Sequence, residues 1–178
     1  MKAAMQAAGE IVLATELTRK ELAFDEIIAL HQPRVLRTAY RLLGRVEDAQ
    51  DAAQEVFLRL LKNMHRIEGD PQAWLYRVTV NICNDHHRRR PMVVQPPPDL
   101  ADAAPDPERV LAEEERKQLL MDGLLTLPER ERSAVVLRDI EGLSTREVAA
   151  ILNVEEVTVR SHISTARVRL AKYVRRRK

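Results

Sequence analysis

The chain's 178 residues suffice for one average domain or two small ones, and a hydrophobic share of 45% is enough to build cores. Aromatics at 3%, only 5 glycines and an abundance of Leu, Ala, Val, Arg and Glu favour helices over strands. The net charge of +2 singles out no partner, the lone Cys83 excludes an internal disulfide, and no run reaches the roughly 20 apolar residues of a membrane span.

Residues 1–21 carry a weak pattern and read as an N-terminal extension; Lys2 is followed by no apolar run of signal-peptide type, so the expected compartment is the cytoplasm. A helix is predicted from about Leu22 to Leu43, where Phe24, Ile27, Ile28, Val35, Ala39, Leu42 and Leu43 recur at helical spacing. Pro33 predicts a kink or break in it, and Gly44 suits the left-handed position past its end. The next helix, about Glu47 to Met64, carries one apolar stripe of Ala49, Ala52, Ala53, Val56, Phe57, Leu60, Leu61 and Met64. Asp51, Gln54, Glu55, Arg59 and Lys62 lie off that stripe. After a polar loop, His65 to Asp70, Asp70 can cap a third helix with Pro71 in its first position. Trp74, Leu75, Val78 and Ile82 are predicted to face inward, and the helix ends in the basic run His86-His87-Arg88-Arg89-Arg90, a favourable charge for a helix C-terminus.

Residues 91–107 are laced with prolines and lack any helical or strand period, so they read as an extended linker between two helical domains, 22–90 and 108–178. In the second, Val110, Leu111, Leu119, Leu120, Leu124 and Leu125 predict a helix or a pair of helices. Another starts at Pro128 and runs to about Ile140 with Ala134, Val135 and Leu137 inward. Ser144-Thr145-Arg146-Glu147 is a capping box, Val148, Ala149, Ile151 and Leu152 form its helix, and Asn153 tolerates a left-handed turn. From about Glu156 a last helix turns Val159, Ile163, Ala166 and Leu170 inward and Arg160, Ser161, Ser164, Thr165 and Arg167 outward. That is the plan of a helix-turn-helix whose second helix would read base edges in the major groove. No acidic residue follows Glu156, while eight basic ones do, so the two basic blocks suggest two contacts with a polyanion.

Catalytic chemistry finds no support. There is no Gly-rich nucleotide loop, and His31, His65, His86, His87 and His162 stand at no zinc-site spacing, so neither a metal nor another cofactor is expected.

Over most of its length the sequence resembles the extracytoplasmic-function (ECF) subfamily of sigma-70 factors, which direct RNA polymerase to promoters. Leu127-Pro128-Glu129-Arg130-Glu131-Arg132, Leu137-Arg138, Glu141-Gly142-Leu143-Ser144, Glu147-Val148-Ala149 and Thr158-Val159-Arg160-Ser161 are similar to region 4. Asp48 to Leu60 is similar to region 2.2; Ala73 to Val78, Asn81 and Asp85 to Arg90 are similar to regions 2.3 and 2.4. The resemblance implies an all-α, non-enzymatic protein of two helical domains. Its implied partners are core RNA polymerase, promoter DNA and an anti-sigma factor, without membrane insertion. It implies that Asp51, Gln54 and Glu55 dock on polymerase. It implies that His65, Trp74, Arg77, Asn81, Asn84, Arg88 and Arg89 serve the −10 element, the loop from His65 capturing an unstacked base. For the −35 element it implies base reading by Arg160, Ser161, Ser164 and Thr165, with phosphate contacts from Arg146, Thr158, His162 and Arg167. His162 and Thr165 stand where many members carry arginine, so a −35 preference unlike the common one is expected. The alternative is a helix-turn-helix regulator that binds promoter DNA without being a polymerase subunit.

Overall fold

The computed structural model describes residues 24–89 and 107–177, excepting the side chains of Arg89 and residues 107–113. The N-terminal extension and nearly all of the linker lie outside the described residues. Every regular element among the described residues is helical. They are α1 (24–43), α2 (Val46–Asn63), α3 (Gln72–Arg89), α4 (Pro107–Leu125), α5 (Glu129–Val135), α6 (Thr145–Leu152) and α7 (Glu156–Arg175). The chain divides between Pro33 and Arg34 into two compact units, and α2 to α7 all belong to the second.

The predicted break at Pro33 is absent: residues 24–43 are helical throughout. Pro33 removes one hydrogen bond to the carbonyl of Ala29, and both residues are exposed, so water can take the donor's place. Gly44 ends the helix with φ of +76° and its N–H on the Tyr40 carbonyl at 2.8 Å. A Cβ there would overlap the side chain of Leu125, so glycine is required by conformation and by space. Asp70 accepts from the Gln72 N–H at 2.9 Å and caps α3.

The first half buries Val35, Ala39, Leu42, Leu43, Ala49, Ala52, Val56 and Leu60 against Leu75, Val80 and Ile82 as α2 packs on α3. Two expectations change here. Leu61, predicted in the α2 stripe, is 54% exposed, because the stripe needs only the positions that point at α3. On α3, Trp74 and Val78 are half-buried, whereas Tyr76, Thr79, Val80 and Cys83 are buried; the helix packs on α6 as well as on α2.

In the second half, α5 and α6 both pack on α7, as does α4, a single helix rather than a pair. Ser144 and Glu147 make both bonds of the capping box, at 3.2 and 2.7 Å, and Asn153 takes the left-handed conformation. Ala149 is buried, and its carbonyl receives the Val154 N–H at 3.1 Å, closing the turn between α6 and α7. The predicted helix to Ile140 does not continue as an α-helix: Val136–Ile140 forms a π turn, with the Glu141 N–H on the Val136 carbonyl at 2.9 Å. The extra residue in that turn advances Glu141 to the place an α-helix would give residue 140.

One polar contact between the halves centres on Arg132. Arg132 is 4% exposed; its Nη1 donates to the Leu42 carbonyl at 2.6 Å and its Nη2 to the carbonyls of Leu127 at 2.9 Å and Leu125 at 3.3 Å. Leu42 and Leu125 lie in the last turns of α1 and α4, so one guanidinium sits at the negative ends of two helices. Burial lowers the Arg132 pKa to about 10, so the group stays charged at neutral pH. His87 Nε2 lies 2.6 Å from Arg132 Nη1 and 2.7 Å from the Leu42 carbonyl.

Burial holds the His87 pKa below its ordinary value, and the charge of Arg132 acts in the same direction, against the Leu42 carbonyl, which favours the proton. Glu129 from α5 and His86 from its own helix also act on the ring. Because the folded-state pKa is depressed, the contact is complete above about pH 6.5 and weakens as pH falls through the lower folded value. Thermal melts between pH 7.5 and 5.5 are expected to show a falling midpoint, with a flatter slope in His87→Gln. Equal slopes would assign the effect to other groups.

Candidate polymerase and promoter interfaces

Three exposed faces gather nearly all of the predicted site residues. On α2, Asp51, Gln54 and Glu55 are exposed and turned away from α3. Glu55 holds Arg59 by two bonds, at 2.7 and 3.0 Å. Beside them Leu58 and Leu61 are 58% and 54% exposed. The face thus combines two exposed leucines with carboxylates, an amide and the cations Arg59 and Lys62. Sequence reasoning missed Leu58; its signal is an apolar residue in register with the polar positions 51, 54, 55 and 62.

On α3, Trp74, Arg77, Asn81, Asn84, Asp85 and Arg88 recur every three or four residues and fall on one face, opposite Leu75, Thr79, Ile82 and Cys83. The face is about 20 Å long at 1.5 Å per residue. Arg77, Asn81 and Arg88 are exposed, and Trp74 and Asn84 half-buried. Arg77 Nη2 donates to the Ala150 carbonyl of α6 at 3.1 Å, and Arg88 stands 3.9 Å from Asp85. Arg89 forms the last residue of α3. His65 is apart from this face, exposed in the short turn Met64–Arg66, where its Nε2 accepts from Arg66 at 3.1 Å.

On α7, Arg160, Ser161, Ser164 and Thr165 are exposed opposite the buried Val159, Ile163 and Ala166. Thr158 and His162 flank one side of this row and Arg167 the other, the arrangement expected for backbone contacts on both walls of a groove. Two flanking groups are already engaged or covered. Arg167 donates two hydrogen bonds to the Asp139 carboxylate, at 2.7 and 2.9 Å, which raises its pKa further. His162 Nε2 is buried without a hydrogen-bond partner. Arg160 is 3.3 Å from Glu156. Arg146 is exposed in the first turn of α6. Sequence reasoning passed over Val157, 64% exposed and in line with Arg160, Ser161 and Ser164; an apolar residue there offers a contact to a thymine methyl group.

Among the described residues no His, Cys, Asp and Glu side chains group as a metal site, and no helix is long and apolar enough to cross a membrane. Cys83 is fully buried, which pushes its thiol pKa well up and leaves it unreactive.

Comparison with known proteins places both halves. Residues 27–91 match the family described as Sigma-70 region 2, and residues 117–170 match Sigma-70, region 4. The chain is 38% identical over 158 residues to the ECF RNA polymerase sigma factor SigE of Mycolicibacterium smegmatis, covering 85% of this chain and 62% of SigE. It is 35% identical to the ECF sigma factor SigM of Mycobacterium tuberculosis, covering 90% of this chain and 82% of SigM. Its fold is shared with the sigma factor RpoE of Bartonella quintana, solved with the anti-sigma factor NepR, at a TM-score of 0.70 and 21% identity over 86% of this chain and 97% of RpoE. The chain belongs to the ECF group of the sigma-70 family of RNA polymerase sigma factors.

Proposed function

We propose that this chain is a promoter-specificity subunit: it binds core RNA polymerase, recognises −10 and −35 elements, and helps to open the DNA for initiation. The observation that carries this reading is the α3 face. Its tryptophan, asparagines and arginines suit an unstacked strand, with the open part of the half-buried Trp74 ring for stacking and the cations for phosphates. A duplex-binding regulator has no use for such a face, nor for the acidic-apolar face of α2, which speaks against the regulator without polymerase. RNA synthesis itself is polymerase chemistry, so the chain acts as a binding factor and not as an enzyme.

In this reading Asp51, Gln54 and Glu55, with Leu58 and Leu61, dock on polymerase. His65, Trp74, Arg77, Asn81, Asn84, Arg88 and Arg89 serve the −10 element. Arg160, Ser161, Ser164 and Thr165 read the −35 element, with Arg146, Thr158, His162 and Arg167 toward phosphates. The proposed organisation is a region 2 domain over 22–90, a linker over 91–107 and a region 4 domain over 108–178. An anti-sigma factor is the expected regulator, since a relative of the same fold was solved with one, and the cytoplasm is where its partners lie.

Gel shifts over a panel of −35 variants, with the chain alone and with core polymerase added, test the assignment. Specific binding is expected only with polymerase, and with a −35 preference that departs from the common family motif. Equal and specific binding by the chain alone would favour the regulator.

A further inference from the structure

We propose that Asp139 is a positioning residue for −35 binding: from the π turn it grips the Arg167 guanidinium and aims it at a backbone phosphate, so that neutralising Asp139 weakens DNA binding even though it removes a negative charge from beside the DNA. The inference deepens the promoter-factor reading above and rests on it, with Arg167 as one of the phosphate contacts.

Positions 160, 164 and 167 are four and three residues apart, so Arg167 shares a face of α7 with Arg160 and Ser164, about 10 Å beyond Arg160 along the helix. Its side chain is 62% exposed, yet it is not loose: Nε donates to one Asp139 oxygen at 2.9 Å and Nη2 to the other at 2.7 Å. A guanidinium has five N–H bonds in a rigid plane. This pairing uses the one on Nε and one on Nη2, and leaves those on Nη1 and the second on Nη2 for a further acceptor. The other arginine pairs of α7 are looser. Arg160 meets Glu156 at one contact of 3.3 Å, and Arg169 meets Glu131 at one of 3.3 Å.

Asp139 is the fixed partner of the two. Its side chain is 26% exposed and lies within the π turn Val136–Ile140. That turn is pinned by the fully buried Val136 and Leu137, by the Glu141 N–H on the Val136 carbonyl at 2.9 Å and by the Leu143 N–H on the Leu137 carbonyl at 3.1 Å. A short side chain on an anchored turn therefore orders a long one on the reading helix. With the Arg167 rotamer already set in the free protein, DNA binding loses less side-chain freedom, and the plane of the fork is fixed for a phosphate. Two effects of the carboxylate compete. It repels a phosphate, but across the width of the guanidinium, at about twice the ion-pair distance and in solvent, where the repulsion is screened. The ordering acts at the contact itself, so it prevails.

The test uses the full chain with saturating core polymerase and the promoter fragment bound most tightly in the −35 panel, titrated from about 50 to about 200 mM salt. Asp139→Asn keeps the shape but turns an NH2 group toward the guanidinium. It is expected to bind about fivefold more weakly, with a plot of log affinity against log salt shallower by about 1, the signature of one lost phosphate contact. Arg167→Ala is expected to show the same change in slope, and Asp139→Asn added to it is expected to cost nothing more. Asp139→Glu restores the carboxylate and is expected to bind within about twofold of wild type. Glu156→Gln, which removes a carboxylate that grips no phosphate contact, is expected to bind as well as wild type or better. Asp139→Ser repeats the measurement should asparagine disturb the π turn, with thermal melts checking each fold. Binding by the folded Asp139 variants that equals or exceeds wild type overturns the proposal, as does a loss that leaves the salt slope unchanged or adds in full to that of Arg167→Ala. A wild-type chain that gives no polymerase-dependent promoter binding overturns the promoter-factor reading itself, whereas an active wild type with unresponsive Asp139 variants overturns the positioning role alone.

Discussion

Replacing Arg132 with alanine is expected to lower stability by about 3 kcal/mol, seen as a fall of about 10 °C in the thermal midpoint. The guanidinium donates to the carbonyls of Leu42, Leu125 and Leu127 from a site 4% exposed. Hydrogen bonds from a charged donor contribute about 1.5–3 kcal/mol each, and the carbonyls left behind at the ends of α1 and α4 keep their desolvation penalty. Arg132→Lys is expected to recover less than half, because one ammonium cannot reach three carbonyls in the planes a guanidinium fork serves. Arg132→Met separates volume from polarity. It refills the space and still leaves the carbonyls bare, so it is expected to stay at least 2 kcal/mol below wild type. A methionine variant as stable as the parent would mean that the site needs bulk alone.

Most of the helices were legible because their signals are local. The capping box at Ser144 and Glu147, the left-handed Asn153 and Gly44, and the Asp70 cap each depend on residues within one turn, and the structure has all of them. The opposing faces of α7 follow from its 3.6-residue period alone. What the sequence hides is set by contacts between distant segments. Glu129 to Arg132 is four charged residues in a row, and periodicity gives no sign that Glu131 and Arg132 are buried and Arg130 exposed. Glu141 reads as a loop carboxylate; only the π turn and the donors about 65 to 103 positions away make it a junction. The extra burial on α3 at Tyr76 and Val80 likewise comes from packing beyond the first half, and a stripe drawn for one neighbour cannot anticipate a second. For the candidate sites, the polar residues stood out, and the apolar Leu58 and Val157 did not, since an isolated apolar residue on a polar face looks like noise until its exposure is known.

Reversing the charges in Asp51→Lys with Glu55→Lys is expected to weaken binding to core polymerase by about 100-fold, a change of about 2.7 kcal/mol, and to abolish promoter-specific transcription. Both side chains are exposed on the face of α2 opposite its packing on α3, so the folded chain should lose less than about 0.5 kcal/mol. The proposed −35 face is on α7, far along the chain, and binding of the isolated chain to nonspecific DNA should be unchanged or slightly stronger. The size of the effect depends on two distinct parts of the face. The carboxylates set orientation and encounter rate, so wild-type affinity should fall with salt. Leu58 and Leu61 give the apolar contact, which salt does not screen. Leu58→Ala should therefore weaken polymerase binding about equally at low and high salt, while the charge reversal should do most damage at low salt. Titrating labelled polymerase at two ionic strengths distinguishes the two behaviours. If the doubly reversed chain melted like its parent and still recruited polymerase to a promoter, α2 would not be the docking helix, and the proposed contact with polymerase would have to lie on another face.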